Sequence, residues 1–366
     1  MNIYLTADEI GTPSGGGKVT FHESEAMKEA FPSCHVWGRS SIIGMDQRID
    51  TEAMPWCWDE QVNRYLPLSG SGGGFPGGLC HIYSGTFPKT VAKMKKCGFK
   101  VAYTIAAHDR AVSRREHVAL GIPFNYPHLV EEPLWQRYIE GYRLADVIVS
   151  PSTVAANTIR NYGPDFKDKR IEVIPHGTDV PDGPMAPMPK RFTVGYMGSF
   201  GPDKGVRYLL EAWKVLGYRD ALLVLAGSDS TTPFGYHMVE RFGGGSICLS
   251  GWMDNVADFY NSISLLVQPS ATEGFGLEVV EALACGRPVL CSEGAGAVDL
   301  VPEEWKFPAC DAKALARKID VAKGVLSCNV GQEWYEGWRD RARECKWGKI
   351  RKRYVDLWKG LIHEVR

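Results

Sequence analysis

The chain has 366 residues, of which 44% are hydrophobic and 23% charged, and this size and composition favour two domains, each with its own core. A formal net charge of -1 excludes a general electrostatic attraction to nucleic acid or to anionic lipid. No stretch approaches the ~20 apolar residues that span a bilayer, and the first residues lack the basic start and apolar core of a signal peptide. We therefore expect a soluble, cytoplasmic protein.

Short apolar runs rich in β-branched residues alternate with helical patterns along the chain. In the first half, strands are predicted at 2–5, 80–83, 100–105, 146–150 and 170–175, with helices near 22–31, 88–97, 133–144 and 152–161. In the second half, strands are predicted at 191–198, 221–227, 246–251, 264–270 and 287–292, with helices near 205–217, 254–262 and 276–285. Apolar strands that alternate with helices predict an α/β fold of parallel sheets covered on both faces.

The segment VPDGPMAPMPK at 180–190 has four prolines in eleven residues and is interpreted as a linker with almost nothing to pack. It divides the chain into two doubly wound lobes. Because such lobes bind ligands at the C-terminal ends of their strands, we expect the two lobes to face each other across a cleft. The predicted boundaries are 1–180 for the N-terminal lobe, 181–190 for the linker, 191–345 for the C-terminal lobe and 346–366 for a final helix that packs back on the N-terminal lobe.

Ten cysteines are distributed singly, without a CxxC pair, and several lie in apolar segments such as ALACGRPVLC at 282–291. This pattern predicts reduced thiols rather than disulfides or a zinc site. The sequence has no HExxH motif, no DxD pair near a strand end and no Ser/His/Asp order. We therefore expect no metal site and no hydrolase site.

The most informative stretch is PSATEGFGLEVVEALACGRPVL at 269–290, where a buried strand ends and a helix begins at about Gly276. Gly274 and Gly276 let a ligand approach the backbone, and the N–H groups and dipole of a helix start favour an anion such as phosphate. Glu278 and Glu281 share the polar helix face, and carboxylates are good acceptors for sugar hydroxyls. We interpret Glu281 as facing the loop and Glu278 as a solvated acid near the dipole.

This stretch resembles the retaining glycosyltransferases of family four, which have the GT-B architecture of two facing Rossmann-like lobes. The resemblance covers most of the chain and is dense from about 145 to 302. It extends through seven further motifs, namely PSGGGK (13–18), YTIAAHD (103–109), ADVIVSPSTVAANTIRNYG (145–163), VIPHGTDV (173–180), YMGSFGPDKGVRYLLEAW (196–213), LLVLAGSD (222–229) and LSGWMDNVADFYNSISLLVQPS (249–270).

The resemblance implies specific roles for individual residues. Glu281 would bind the ribose of a nucleotide donor, and Glu273 would contact hydroxyls of the transferred sugar. Lys204 would neutralise the diphosphate leaving group, where a cation stabilises the transition state more than the ground state. His108 would lie beside the sugar as a third catalytic residue. The remaining donor-binding positions are Gly16, Gly17, Gly198, Ser199, Trp252, Met253, Gly274, Phe275, Gly276 and Leu277.

Two positions depart from the pattern of the family. Many relatives have an arginine directly after the glycine of the phosphate loop, where this chain has Ser199. Half of the usual cationic clamp is therefore missing, and either Arg207 or Arg110 could supply it. The family also tends to have a glutamate where the segment VDLV has Asp299, which is a milder change.

Two other motifs have competing interpretations. GSGGGFPGG at 70–78 has the spacing of a dinucleotide fingerprint, but the next segment is predicted as a strand, whereas that fingerprint must open a helix. We interpret it as a loop over the acceptor side. The basic run at 338–354 could bind lipid or nucleic acid, or it could be a final helix that packs an apolar stripe on the first lobe and leaves its basic face in water.

The resemblance thus implies a metal-independent, retaining glycosyltransferase whose N-terminal lobe holds the acceptor and whose C-terminal lobe holds the donor. The donor would be a UDP- or GDP-linked sugar, and no other cofactor is expected. The acceptor would be a glycan, a lipid, a small molecule or a modified nucleic-acid base, with peripheral membrane contact possible. Two alternatives stay open, namely a nucleotide-sugar epimerase of the same fold and a non-catalytic nucleotide-sugar-binding protein.

Overall fold

The computed structural model describes residues 2–6, 10, 15–38, 59, 62, 78–83, 87–106, 109–122, 132–328 and 330–364. These residues form two compact units. The first unit contains the described residues up to 106, those from 132 to 176 and those from 347 onward. The second unit contains 109–122 and the described residues of 177–346. The segment 109–122 therefore belongs to the second unit, although in sequence it lies between two parts of the first.

Within the described ranges the chain forms twelve strands and twelve α-helices. The strands are β1 (Asn2–Thr6), β2 (His35–Trp37), β3 (Gly78–Tyr83), β4 (Phe99–Thr104), β5 (Val147–Ser150), β6 (Ile171–Val173), β7 (Thr193–Met197), β8 (Leu222–Ala226), β9 (Ile247–Gly251), β10 (Leu265–Gln268), β11 (Val289–Ser292) and β12 (Lys306–Phe307). The helices are α1 (Gly15–Ala30), α2 (Pro88–Lys96), α3 (Arg110–Leu120), α4 (Glu132–Leu144), α5 (Thr153–Arg160), α6 (Val206–Leu216), α7 (Pro233–Phe242), α8 (Val256–Ser262), α9 (Leu277–Ala284), α10 (Ala312–Ser327), α11 (Gln332–Ala342) and α12 (Trp347–His363).

The sheet of the first unit has the strand order β2-β1-β3-β4-β5-β6, and its paired strands are parallel. Alternate side chains of β1 point to opposite faces. Ile3 and Leu5 join an apolar cluster with α2, α4 and α5, whereas Tyr4 joins a second cluster with α1 and α12. Helices therefore cover both faces of the sheet, as the apolar strand residues predict.

A buried polar network connects α12 to this sheet. Tyr4 donates a hydrogen bond to Glu23 Oε2 at 2.9 Å, and His81 Nε2 lies 3.1 Å from the same oxygen. Trp358 Nε1 donates to His81 Nδ1 at 3.1 Å, so a neutral imidazole carries its proton on the nitrogen that faces Glu23. The last helix thus packs on the first unit through polar as well as apolar contacts. No helix in the described part of the chain combines the length and the apolar character needed to cross a bilayer.

The sheet of the second unit has the order β12-β11-β10-β7-β8-β9, again with parallel pairs. Counted from β7, this is the doubly wound order 3-2-1-4-5-6 of dinucleotide-binding folds. The strand order reverses between β7 and β10. In this fold class the crevice at such a reversal, outside the carboxyl ends of the strands, is the place where ligands bind.

The proline-rich segment at 180–190 has no regular secondary structure, but the prediction that it packs on almost nothing is wrong. Arg287 is almost fully buried, and its guanidinium donates to the carbonyl oxygens of Ala186 at 3.0 Å and Pro187 at 3.4 Å. The same guanidinium contacts the sulfur of Met188. The segment is therefore held to the rest of the second unit by the buried Arg287, and also by Arg339 and Lys346, which bond the carbonyl oxygens of Gly183 and Val180.

The strands and helices predicted from the sequence are all present, with ends that differ by a few residues in most cases. The largest difference is α1, which begins at Gly15 rather than near 22, so the predicted glycine loop is already helical there. The structure adds β2, β12, α3, α7 and α10, and it breaks the C-terminal basic run into α11 and α12. The loop at 70–77 lies outside the described residues, and the segment after it is strand β3, as predicted.

Candidate functional site

Two loops at the carboxyl edge of the second sheet bring the predicted donor-site residues together. One loop follows β7 and contains Gly198, Ser199 and Lys204, and the other follows β10 and contains Glu273. These are the two strands between which the strand order reverses. The tertiary structure thus places the most informative sequence motifs on both sides of the expected ligand crevice.

Backbone contacts lock the two loops against each other. The carbonyl oxygen of Asp203 accepts hydrogen bonds from the N–H groups of Ala271 at 2.8 Å and Thr272 at 3.3 Å. Gly205 adopts a left-handed conformation, with φ of 66°, and a Cβ there would overlap the carbonyl oxygen of Pro269. A glycine is therefore required for this close approach, which sets the position of Lys204.

Lys204 and Glu273 form an ion pair within this arrangement. The other carboxylate oxygen of Glu273 accepts hydrogen bonds from Gln268 Nε2 at 2.7 Å and Ser270 Oγ at 2.6 Å. Burial lowers the pKa of Lys204, but the carboxylates of Glu273 and Glu278 outweigh burial and hold the pKa above the ordinary lysine value. Lys204 is therefore a permanent cation in the physiological pH range.

Glu278 is part of the same cluster, and its interpretation as a solvated helix acid is wrong. Its carboxylate lies 3.9 Å from Lys204 Nζ, and its side chain is only 18% exposed. Burial raises the pKa of the Glu278 carboxyl to about 7, although Lys204 lowers it in part. The helical wheel places Glu278 beside Glu281, and this shared face was the sequence signal that should have assigned both residues to the site.

Helix α9 begins directly at the site. Gly276 is its N-cap residue with φ of 100°, and no side chain of the described residues caps this helix start. Glu281 lies one turn further on and is buried, and it accepts a hydrogen bond from Tyr260 at 2.8 Å. Since helix starts attract anions, this arrangement suits a phosphate beside Lys204 and a polar group near Glu281.

Helix α3 is anchored on the second unit next to the same loops. The N–H group of Asp109 donates to Thr272 Oγ1 at 2.7 Å, and Ser113 donates to Asp203 Oδ2 at 3.1 Å. Sequence reasoning missed this helix, because its buried residues include Ser113, Glu116 and His117 rather than an apolar stripe. The segment 109–122 is thus built into the second unit.

Arg207 is one candidate for the cation that is missing at Ser199, but it is already engaged in an ion pair. Its guanidinium pairs with the buried carboxylate of Glu116 at 3.1 Å, and Tyr208 donates to the same carboxylate at 2.8 Å. Ser199 offers its carbonyl oxygen to Tyr196, whose hydroxyl lies 2.5 Å away. Within the described residues, Lys204 is the cation that reaches both Glu273 and Glu278.

Trp252 and Met253 follow β9 at the same sheet edge. The indole of Trp252 is 56% exposed, and its Nε1 donates to Asp254 Oδ1 at 3.0 Å. Trp252 is therefore a largely exposed aromatic residue with a hydrogen-bonded ring nitrogen, which suits stacking on a flat ring.

Three of the predicted site residues are not among the described residues of these two loops. Gly16 and Gly17 occupy the first turn of α1 in the first unit, where the Gly17 carbonyl accepts a hydrogen bond from Thr20 at 3.0 Å. His108 lies outside the described residues. The donor roles of these three residues stay predictions.

Comparisons with known proteins bear on the family and on the fold of this chain. Residues 191–322 match the protein-family model described as glycosyl transferases group 1. A capsular polysaccharide biosynthesis glycosyltransferase, CapM, of Staphylococcus aureus is 31% identical over 138 residues, which are 35% of this chain and 36% of that protein. The match thus spans about a third of the length of this curated relative. These matches support the predicted resemblance at the level of group 1 glycosyltransferases.

Solved structures resemble the chain over its whole length. Sucrose-phosphate synthase from Thermosynechococcus elongatus superimposes with a TM-score of 0.72 over 100% of both chains, at 19% identity. Anabaena Alr3699/HepE in complex with UDP and glucose gives a TM-score of 0.68 over 98% of this chain and 99% of that chain, at 14% identity. At such identities the likeness shows the fold, and it confirms the predicted GT-B fold class.

Proposed function

We propose that this protein is a glycosyltransferase that moves a sugar from a UDP- or GDP-linked donor to an acceptor, with retention of anomeric configuration and without a metal ion. The observation that carries the proposal is the pairing of Lys204 with Glu273 on two loops at the strand reversal, beside the start of α9. The match of residues 191–322 to group 1 glycosyltransferases supports it, as does the UDP in a solved structure of similar fold.

The donor would place its diphosphate at the start of α9 and its ribose near Glu281. Glu281 is buried beside Tyr260, so a ribose hydroxyl would meet a carboxylate with a fixed orientation. Glu273 is held by Gln268 and Ser270 and would present an oxygen to the sugar hydroxyls once Lys204 turns to the phosphate. The exposed ring of Trp252 would lie at the base end.

Lys204 would act on the leaving group. Breaking the bond between the sugar carbon and the diphosphate oxygen loads negative charge onto the diphosphate. An ammonium placed beside the diphosphate and the positive end of a helix dipole stabilise that charge more in the transition state than in the ground state. This pair of groups supplies the charge compensation that a metal ion would otherwise provide, which is the basis for proposing a metal-independent reaction.

The test begins with donor identity. A panel of nucleotide sugars is screened for thermal stabilisation of the full chain, because a ligand at 100 times its dissociation constant adds about 2.7 kcal/mol to the free energy of unfolding. Donors that bind are incubated with acceptor mixtures, with and without a chelator. We expect release of nucleoside diphosphate and a glycoside whose anomeric configuration, measured by NMR, matches that of the donor.

Other outcomes would contradict the proposal in distinct ways. An isomerised donor would indicate an epimerase. Tight donor binding without any product would indicate a non-catalytic binding protein, an alternative that the pairing of Arg207 with Glu116 and the serine at 199 favour. A product of inverted configuration would contradict retention alone, and loss of activity with the chelator would contradict metal independence alone.

A further inference from the structure

The proposed phosphate site contains one ammonium between two carboxylates. Lys204 contacts Glu273, and its Nζ lies 3.9 Å from Glu278 Oε1. With both carboxyl groups ionised, these three groups carry a net charge of -1. A diphosphate that carries two negative charges would enter a site that is already negative, which opposes binding at short distance.

The two carboxylates differ in how well their charge is compensated. Glu273 accepts hydrogen bonds from Gln268 and Ser270 in addition to its ion pair with Lys204. In the described part of the chain, the charge of the Glu278 carboxylate is compensated by Lys204, at the longer distance of 3.9 Å, and by the backbone N–H group of Glu278 itself. Glu278 is therefore the acid that is easier to protonate when Lys204 is drawn away.

We propose that Glu278 takes up a proton when the diphosphate of a nucleotide sugar binds beside Lys204, so that this residue sets the pH range in which the donor binds. The inference rests on the proposed function, since it needs a diphosphate at this site. Protonation would bring the three-residue cluster to zero net charge. It would also convert Glu278 into a hydrogen-bond donor that faces the phosphate oxygens.

The surroundings of Glu278 support this role. Burial already raises the pKa of the Glu278 carboxyl to about 7, so this group can take up a proton near neutral pH. A bound dianion would raise the pKa further, because it is a like charge. Five titratable groups of this unit interact electrostatically with Glu278 or with its partner Lys204. They are Lys204 itself before α6, Glu273 after β10, Glu281 on α9, Tyr196 on β7 and Tyr260 on α8.

The experiment is calorimetric titration of the full chain with UDP-glucose and GDP-mannose between pH 6 and 8.5, in two buffers of different ionisation enthalpy. Each phosphate of these probes carries one ester and one anhydride linkage and has no second acidic proton, so the diphosphate does not titrate in this range. We expect the wild type to take up roughly half to one proton per donor bound at pH 8, and its affinity to fall roughly tenfold from pH 7 to 8.5.

Glu278→Gln, which keeps size but cannot ionise, should bind the probe at pH 8.5 several-fold more tightly than the wild type, with a flat pH profile. Glu240→Gln removes an exposed acid on α7 and should behave like the wild type. No proton uptake by the wild type, or the same pH profile in Glu278→Gln, would overturn the inference while leaving the proposed function intact. Failure of every nucleotide sugar to bind the wild type would overturn both.

Discussion

Replacing Lys204 by alanine is expected to reduce turnover far more than donor affinity. The ammonium contacts Glu273 and lies 3.9 Å from Glu278, with a side chain that is 22% exposed. Two unit charges at about 4 Å interact with about 4 kcal/mol at an effective dielectric constant of 20. This value is an upper bound for the extra stabilisation that Lys204 gives to the transition state, because part of its attraction to the diphosphate is already present in the ground state.

Single preorganised electrostatic contacts of this kind contribute about 2.7–4 kcal/mol to the transition state, which corresponds to a loss of roughly 100- to 1000-fold in kcat. The expected loss in donor affinity is smaller, because the ground-state diphosphate has not yet gained the charge of the leaving group. The proposed role of Lys204 therefore predicts a split between kcat and the donor Kd.

The assay measures kcat from release of nucleoside diphosphate and the donor Kd by calorimetry. Lys214→Ala, which removes an exposed lysine from α6, is the matched control and should change neither value. Equal losses in affinity and turnover would show that Lys204 binds the ground state and the transition state alike, and a loss in kcat below tenfold would refute the leaving-group role.

Three further changes probe the ribose contact, the loop packing and the pH response. Glu281→Ala should weaken donor binding by about 1.5–3 kcal/mol, and unchanged affinity in calorimetry would remove the ribose assignment. Both Gly205 and Gly217 have a left-handed backbone conformation, so alanine at either position should cost about 1–2 kcal/mol. Gly205→Ala should lower the free energy of unfolding in urea clearly more than Gly217→Ala, because a Cβ at 205 would also overlap the backbone of Pro269, whereas a Cβ at 217 would meet no atom within 4 Å. Burial lowers the pKa of His176 to about 4, below its unfolded value of about 6.5, so the unfolded chain holds the proton more tightly. Stability should therefore fall as pH drops from about 6.5 to 4, by at most about 1.4 kcal/mol per pH unit, and His176→Gln should flatten this slope.

The alternation of strands and helices could be predicted from the sequence, because an apolar run of four to eight residues is a local property. The strand β10 and the helix α9 follow from such runs and from the glycines between them. The same local pattern placed Glu273 on a loop after a strand, which in a parallel sheet lies at the ligand-binding edge. The ion pair between Lys204 and Glu273 shows that this loop lies against the loop after β7, a contact between two distant segments of the chain.

Tertiary packing decided what local pattern could not. Glu278 has the polar position of a surface acid on its helix, yet in the folded chain its side chain is only 18% exposed and lies 3.9 Å from Lys204 Nζ. Helix α3 buries Ser113 and Glu116, and its place in the second unit depends on partners about 90 residues away, Asp203 and Tyr208. Hydrophobic periodicity shows which face of a single helix or strand is apolar. Whether a polar side chain is buried depends instead on a hydrogen-bonding or charged partner elsewhere in the chain, and only the folded structure identifies that partner.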